Sequence, residues 1–331
     1  MENTTTQVKS KPVKKNYGAI FANLAPYIGL VLITIIFQIL TKGRLLTVAN
    51  IQSLSNQVII TALVAIGAVF VFSLNCFDMS LGSGVLLGSV LGGMAAIATG
   101  SLLLAFVICM AVPLLMGLAK GVFASYVEVP FFIFTIVLAS VISDVVLVIM
   151  GDETTIYLSN AVKEIPTFSF GQMTAINLIV LVAYFVLCLI LFNFTGLGVH
   201  SKMIGGNPTA AKQSGINIPK TKTLGFIISA IGIGLAAFLL LIRVRTVGST
   251  TAGTTGNDVI IALVLGGMPV SGGPRSKISA GLVGAATITI LNSGLSIMGL
   301  SPGIIQFVRG IVFVVVVLVA SFSYRTKLLP R

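Results

Sequence analysis

An all-α polytopic membrane protein is the fold class this sequence predicts, on three observations. Hydrophobic residues make up 56% of the 331, only 8% are charged, and the mean hydropathy is +1.10, values foreign to a water-soluble globule of this size. Apolar segments near the length of a spanning helix, about 20 residues, recur along the chain. The basic residues collect in the polar stretches between them, as orientation in a bilayer demands.

Taken in order, residues 1–21 form a basic tail carrying Lys9, Lys11, Lys14 and Lys15. Residues 22–322 form one transmembrane domain, and 323–331 a second tail. The first apolar run, Leu24 to Leu40, is long for a secretory signal core and lacks a small-residue cleavage pattern, so it reads as a retained anchor. Candidate spans follow near 54–74, 81–99, 102–119, 130–150, 173–193, 223–242, 258–268, 278–297 and 304–322, ten with the first. With the lysine tail cytoplasmic, fourteen of the twenty basic residues, Lys120 among them, fall on the cytoplasmic side; Lys42, Arg44, Lys163, Arg243, Arg245 and Arg309 fall outside. Dropping the short eighth span would split the last two basic clusters between sides, so it is kept and both termini are expected in the cytoplasm.

Within the spans, Gly84, Gly88 and Gly92 recur every four residues and make a smooth face for close helix packing. Two interruptions bear more directly on function: 75–80, between the second and third spans, and the Gly-Pro-rich stretch 266–274 after the eighth. Broken backbone at membrane depth survives only when buried in protein or lining a polar cavity. The candidate translocation path is therefore drawn from Asn75, Phe77, Asp78 and Ser80, with Phe131 and Thr135 at the start of the fifth span and Asn292 in the ninth. A charge at the bilayer centre costs about 2.5–3.5 kcal/mol. Asp78 is read first as a cap of the third span together with Ser80, and as a path residue second. Asp144, inside the fifth span, is open between a cavity and a basic partner.

Other chemistries find little support. Cys76, Cys109 and Cys188 lack paired spacing and read as buried small hydrophobes, with no disulfide framework and no metal site. The +12 net charge is scattered through short loops without the aromatic interleaving of a nucleic-acid surface. Gly82-Ser83-Gly84 has leucine before it where an intramembrane serine protease motif has glycine, the single histidine is His200, and no P-loop occurs. No catalytic residue and no bound cofactor is expected.

Between the sixth and seventh spans, the loop 194–222 holds a small polar helix signal. Asn207 suits an N-cap, Pro208 the first helical position, and Gly215 a C-terminal stop. Two turns are marginal alone in water, so this element needs a docking surface. Its small residues Ala210, Ala211 and Ser214 would let one approach closely.

These residues carry a resemblance to the permease subunits of ribose-type bacterial ABC importers. Phe77-Asp78-Met79-Ser80-Leu81-Gly82-Ser83 resembles their G-I-D-L-S-V-G-S signature, and Gly205-Gly206-Asn207 through Ser214-Gly215-Ile216-Asn217 resembles their G-G-N-x-x-A-A-x-x-S-G-I-N coupling segment. Thr251-Ala252-Gly253 with Asp258, Leu265-Gly266-Gly267, Ser271-Gly272-Gly273 and Leu291-Asn292-Ser293-Gly294 follow in the matching order. The approach to Asp78 departs from the family's glycine-rich form, and Pro274 interrupts its basic stretch. The resemblance implies a type II importer in the bacterial inner membrane: two permeases, identical or related, two ATP-binding subunits that use ATP and magnesium, and an extracytoplasmic solute-binding protein. It also implies that Gly205, Gly206, Asn207, Pro208, Ala210, Ala211, Ser214 and Gly215 couple to the ATPase, and that the solute is a sugar. A nucleoside, a furanone signal and a branched-chain amino acid are the alternatives within the class. An ion-coupled secondary transporter using Asp78 and Asp144 is the alternative outside it.

Overall fold

Helices carry nearly the whole chain, because an apolar backbone away from water has no hydrogen-bond partner except itself. The computed structural model describes residues 17–127, 129–151, 155–158 and 168–328. Its elements are α1 (Tyr17–Leu40), α2 (Val48–Ser73), α3 (Leu81–Thr99), α4 (Leu102–Tyr126), α5 (Phe131–Met150), β1 (Thr155–Tyr157), α6 (Phe170–Asn193), α7 (Gly196–Gly206), α8 (Pro208–Gln213), α9 (Ile218–Val244), β2 (Thr246–Gly248), α10 (Thr255–Leu265), α11 (Ser279–Ile297) and α12 (Pro302–Leu328). Seven of them, α2 to α6, α9 and α11, are long and apolar enough to cross a membrane. Three shorter apolar helices, Leu24–Leu40 within α1, α10, and Pro302–Leu318 within α12, stand beside them.

The core is built around α2, which packs against α6, α9, α10 and α11. Most of α2, α3, α9 and α11 is buried, whereas α4, α5 and α6 leave broad apolar faces exposed. The glycine face of α3 packs as its spacing suggests: Gly84 lies against Ile233 and Met116, Gly88 against Ala237 and Pro113. Cys109 Sγ reaches the Gly88 carbonyl at 3.3 Å. All three cysteines are free and buried.

Several elements differ from the sequence reading. The loop 194–222 contains α7, started by Thr195, whose hydroxyl accepts from the Leu197 amide at 3.3 Å; its four glycines hide it from a propensity reading. β1 and β2 pair antiparallel, Thr155 opposite Gly248, in two segments read as plain loops. Helix α4 runs seven residues past the expected end at 119, so Lys120 is buried within it, 3% exposed, and is no loop cation. Arg309 likewise lies inside α12 and is buried, not in an outer loop. The basic residues of the first tail and the acidic residues Asp152, Glu153 and Glu164 lie outside the described residues.

Candidate translocation cleft and coupling junction

Between α2 and α3 the chain leaves helical geometry from Leu74 to Ser80. Asn75 turns it with φ +60, a left-handed conformation that asparagine tolerates better than most residues. Asp78 follows, fully buried. Its Oδ1 accepts from the Ser80 amide at 2.8 Å and the Ser80 hydroxyl at 2.6 Å, while Oδ2 takes Lys120 Nζ at 2.6 Å. Lys120 also donates to Ser80 Oγ at 3.1 Å. The expected helix cap is not what forms: Ser80 is the N-cap of α3 and makes no side-chain cap hydrogen bond, while the Asp78 carboxylate orders the turn before it and pairs with a buried ammonium on α4. Thr135 braces the same segment from α5, donating to the Phe77 carbonyl at 3.2 Å and accepting from the Met79 amide at 3.1 Å. Phe77 packs edge-on against Phe72, and Phe131 lies tilted against Phe226.

Asp78, Ser80 and Thr135 are therefore buried in the wall. What they hold in place is a cleft of about 240 Å3 between α3, α5 and the start of α10. Ser83, Ser140, Ser143 and Asn257 supply its hydroxyl and amide groups, beside Gly82, Gly253 and Gly256. Among the described residues no charged side chain lines it. Gly82 allows this geometry, since a Cβ there would sit 2.7 Å from the Gly256 amide nitrogen and 3.0 Å from the Ala252 carbonyl, so α3 and α10 meet backbone to backbone. Asn257 and Ser140 are exposed. Ser140 and Ser143 on α5 and the lone Asn257 carry no motif in the sequence, and the motif around Ser83 gives no sign of a cleft; only the approach of three separate elements makes them a site.

Behind the cleft, one residue along from Asn257, Asp258 points away into the body. Arg309 Nη1 on α12 binds its Oδ1, and Thr254 and Asn292 hydrogen-bond to the same carboxylate. Asn292 is thus placed with an ion pair, apart from the cleft.

The polar helix forms as its sequence suggests. Asn207 Oδ1 accepts from the Ala210 amide at 3.0 Å, Pro208 opens α8, and Gly215 ends it at φ +79. Of its residues only Ala211 is buried, 1% exposed, in a cluster with Val71, Leu74, Ile204 and Phe226. The inward face therefore belongs to this chain, and Pro208, Thr209, Ala210, Lys212 and Ser214 present the outward one. Just before α8, the Gly205 backbone lies so close to the Ser73 carbonyl that a Cβ would collide with it. The Gly273 amide donates to that same carbonyl at 3.0 Å. The end of α2, the polar helix and the Gly-rich stretch after α10 thus meet at one point, from which both interruptions of the helical chain depart.

The profile of the family described as branched-chain amino acid transport system / permease component matches residues 50–317. Among curated proteins, the ribose import permease of Bacillus subtilis is 29% identical, over 95% of this chain and 97% of its own length. The xylose transport system permease of Haemophilus influenzae is 30% identical over 83% of this chain and 90% of its own length. The galactofuranose transporter permease of Escherichia coli is 26% identical over 86% and 82%. No solved structure matches.

Proposed function

Given that the chain belongs to the family described as branched-chain amino acid transport system / permease component, we propose that it is the membrane-spanning permease subunit of an ATP-driven importer that passes a sugar delivered by a binding protein. The single observation that carries the substrate class is the cleft between α3, α5 and α10: hydroxyls, an amide and backbone, with no charge among the described residues of its lining. Such a surface exchanges hydrogen bonds with a polyhydroxylated neutral solute and offers nothing to hold a carboxylate or an amine. Named relatives that import ribose and xylose agree with that class. The family's broader description keeps a branched-chain amino acid as the second reading, and the uncharged cleft disfavours it.

In this reading the chain crosses the membrane ten times, using its seven long helices and three shorter apolar ones, with both ends and α8 in the cytoplasm. Once Lys120 and Arg309 are set aside as buried, thirteen basic residues lie on the cytoplasmic side against five outside, which is the asymmetry orientation requires. The chain performs no bond-making step. Two copies, or this chain and a related one, enclose the path between them. ATP draws a pair of separate ATP-binding subunits together, and the displacement enters at α8. Through the contact of Gly205 with Ser73 it reaches the segment 74–80 and the Gly-rich stretch together, and the cleft changes the side on which it opens. ATP drives this only to the extent that it binds the two packed arrangements differently.

The outward face of α8 tests the coupling. In the purified complex Ala210→Arg should strip the ATP-binding subunit or leave its hydrolysis unlinked to uptake, with the thermal stability of the chain itself unchanged. Ala211→Arg should lower that stability first, because it forces a charge into the cluster of Val71 and Phe226. An Ala210→Arg complex with normal ATPase attachment and normal uptake would remove α8 from the coupling role.

A further inference from the structure

Helix α5 is twenty residues long, Phe131 to Met150, about 30 Å at 1.5 Å per residue and thus the thickness of the hydrocarbon core. Asp144 sits in the second turn from its C-terminal end, about 9 Å inside that limit. Its side chain is exposed, and among the described residues it has no hydrogen bond and no ion pair. The other membrane acids are handled differently: Asp78 is buried on Lys120, and Asp258 on Arg309. A carboxylate side chain is too short to reach the headgroups from that depth, and bare contact with lipid is costly. An exposed, unpartnered carboxylate at that depth calls for water beside it.

Its position says what wets it. Ser140 and Asp144 are four residues apart on one helix and so lie on one face, about 6 Å from each other. Ser140 and its neighbour Ser143 line the cleft. Asp144 continues their stripe one turn toward the end of α5 that leads to β1, the extracytoplasmic end in the proposed orientation. We propose that Asp144 lines the mouth of the solute path as a specificity-determining charge, admitting neutral sugars and repelling anionic ones such as sugar acids and sugar phosphates. This rests on the importer reading, which it sharpens from sugars to uncharged sugars. Two permease copies would place two such carboxylates at the mouth.

The field at the cleft can be read without the binding protein, whose own selectivity would mask it. Cys76, Cys109 and Cys188 are buried, which leaves an introduced thiol as the reactive one. In the assembled complex in liposomes, Ser140→Cys should react with water-soluble methanethiosulfonates, and the cationic trimethylammonium reagent should outpace the anionic sulfonate. That ratio, relative to the two reagents acting on a free thiol, should be about tenfold, given a full charge about one helical turn away in a partly aqueous site. Adding Asp144→Asn should bring it down to the free-thiol value. A ratio unmoved by Asp144→Asn, or an introduced thiol that neither reagent reaches while the Ser140→Cys complex imports sugar with ATP, overturns the assignment of Asp144 and leaves the importer reading intact. A ratio that collapses as expected in a chain that moves solute without ATP supports the assignment and sinks the importer reading instead.

Discussion

Asp78→Ala is expected to destabilise the protein by about 3–5 kcal/mol, the usual consequence of removing one partner from a buried ion pair. Lys120, 3% exposed, would keep only Ser80 as a hydrogen-bond partner, and the turn that precedes α3 would lose the carboxylate that orders it. Asp78→Asn should be nearly as damaging. Asparagine can still accept from the Ser80 amide, but it cannot neutralise the ammonium. Combining Asp78→Leu with Lys120→Met should recover a good part of the loss, since a buried ion pair replaced as a unit by apolar groups is often close to neutral. Thermal unfolding of the detergent-purified protein measures all three. An Asn variant as stable as the parent would mean that Asp78 acts only by ordering the turn at Ser80.

Gly205→Ala should uncouple the machine more than it unfolds it. The new Cβ would be driven into the Ser73 carbonyl, which also accepts from Gly273, so the polar helix would be pushed off the point that links it to both interruptions. Overpacking of this kind costs about 1–3 kcal/mol. If that strain falls on one of the two packed arrangements, uptake per ATP hydrolysed should drop roughly tenfold, since about 1.4 kcal/mol is a factor of ten. Gly171→Ala, where an added Cβ meets nothing, is the control and should leave both rates alone. Parallel measurement of hydrolysis and uptake checks this, and equal coupling in the two variants would discard the junction as the route of transmission.

What could be read from the sequence depended on whether the signal was local. The polar helix announced itself because Asn207, Pro208 and Gly215 act on backbone a few residues away, and the glycine face of α3 because its period is that of a helix. Lys120 gave the opposite impression. Followed by glycine at the end of an apolar run, it looks like a loop cation, and nothing near it reveals that its partner lies 42 residues back in the chain. Arg309 misled in the same way, its carboxylate being 51 residues distant. For the path, the sequence showed polarity but not exposure. Asp78 and Thr135 drew attention as polar groups among apolar ones and turned out to brace the wall, Asn292 joined an ion pair behind it, and Ser140, Ser143 and Asn257, individually unremarked, face the cleft. Burial of that kind is a property of packed elements, and no window of sequence contains it.

In the proposed function this chain moves an uncharged sugar only as part of an ATP-driven assembly. Its most direct test is radiolabelled ribose and xylose uptake into liposomes, comparing the chain alone under an imposed proton or sodium gradient with the assembled complex given its binding protein and internal or external ATP. The chain alone should show no gradient-driven uptake, and the complex should take up sugar only when ATP is on the side of the ATP-binding subunits and the binding protein is present. Sugar accumulation by the isolated chain on an ion gradient, unaffected by ATP, would contradict the proposed function.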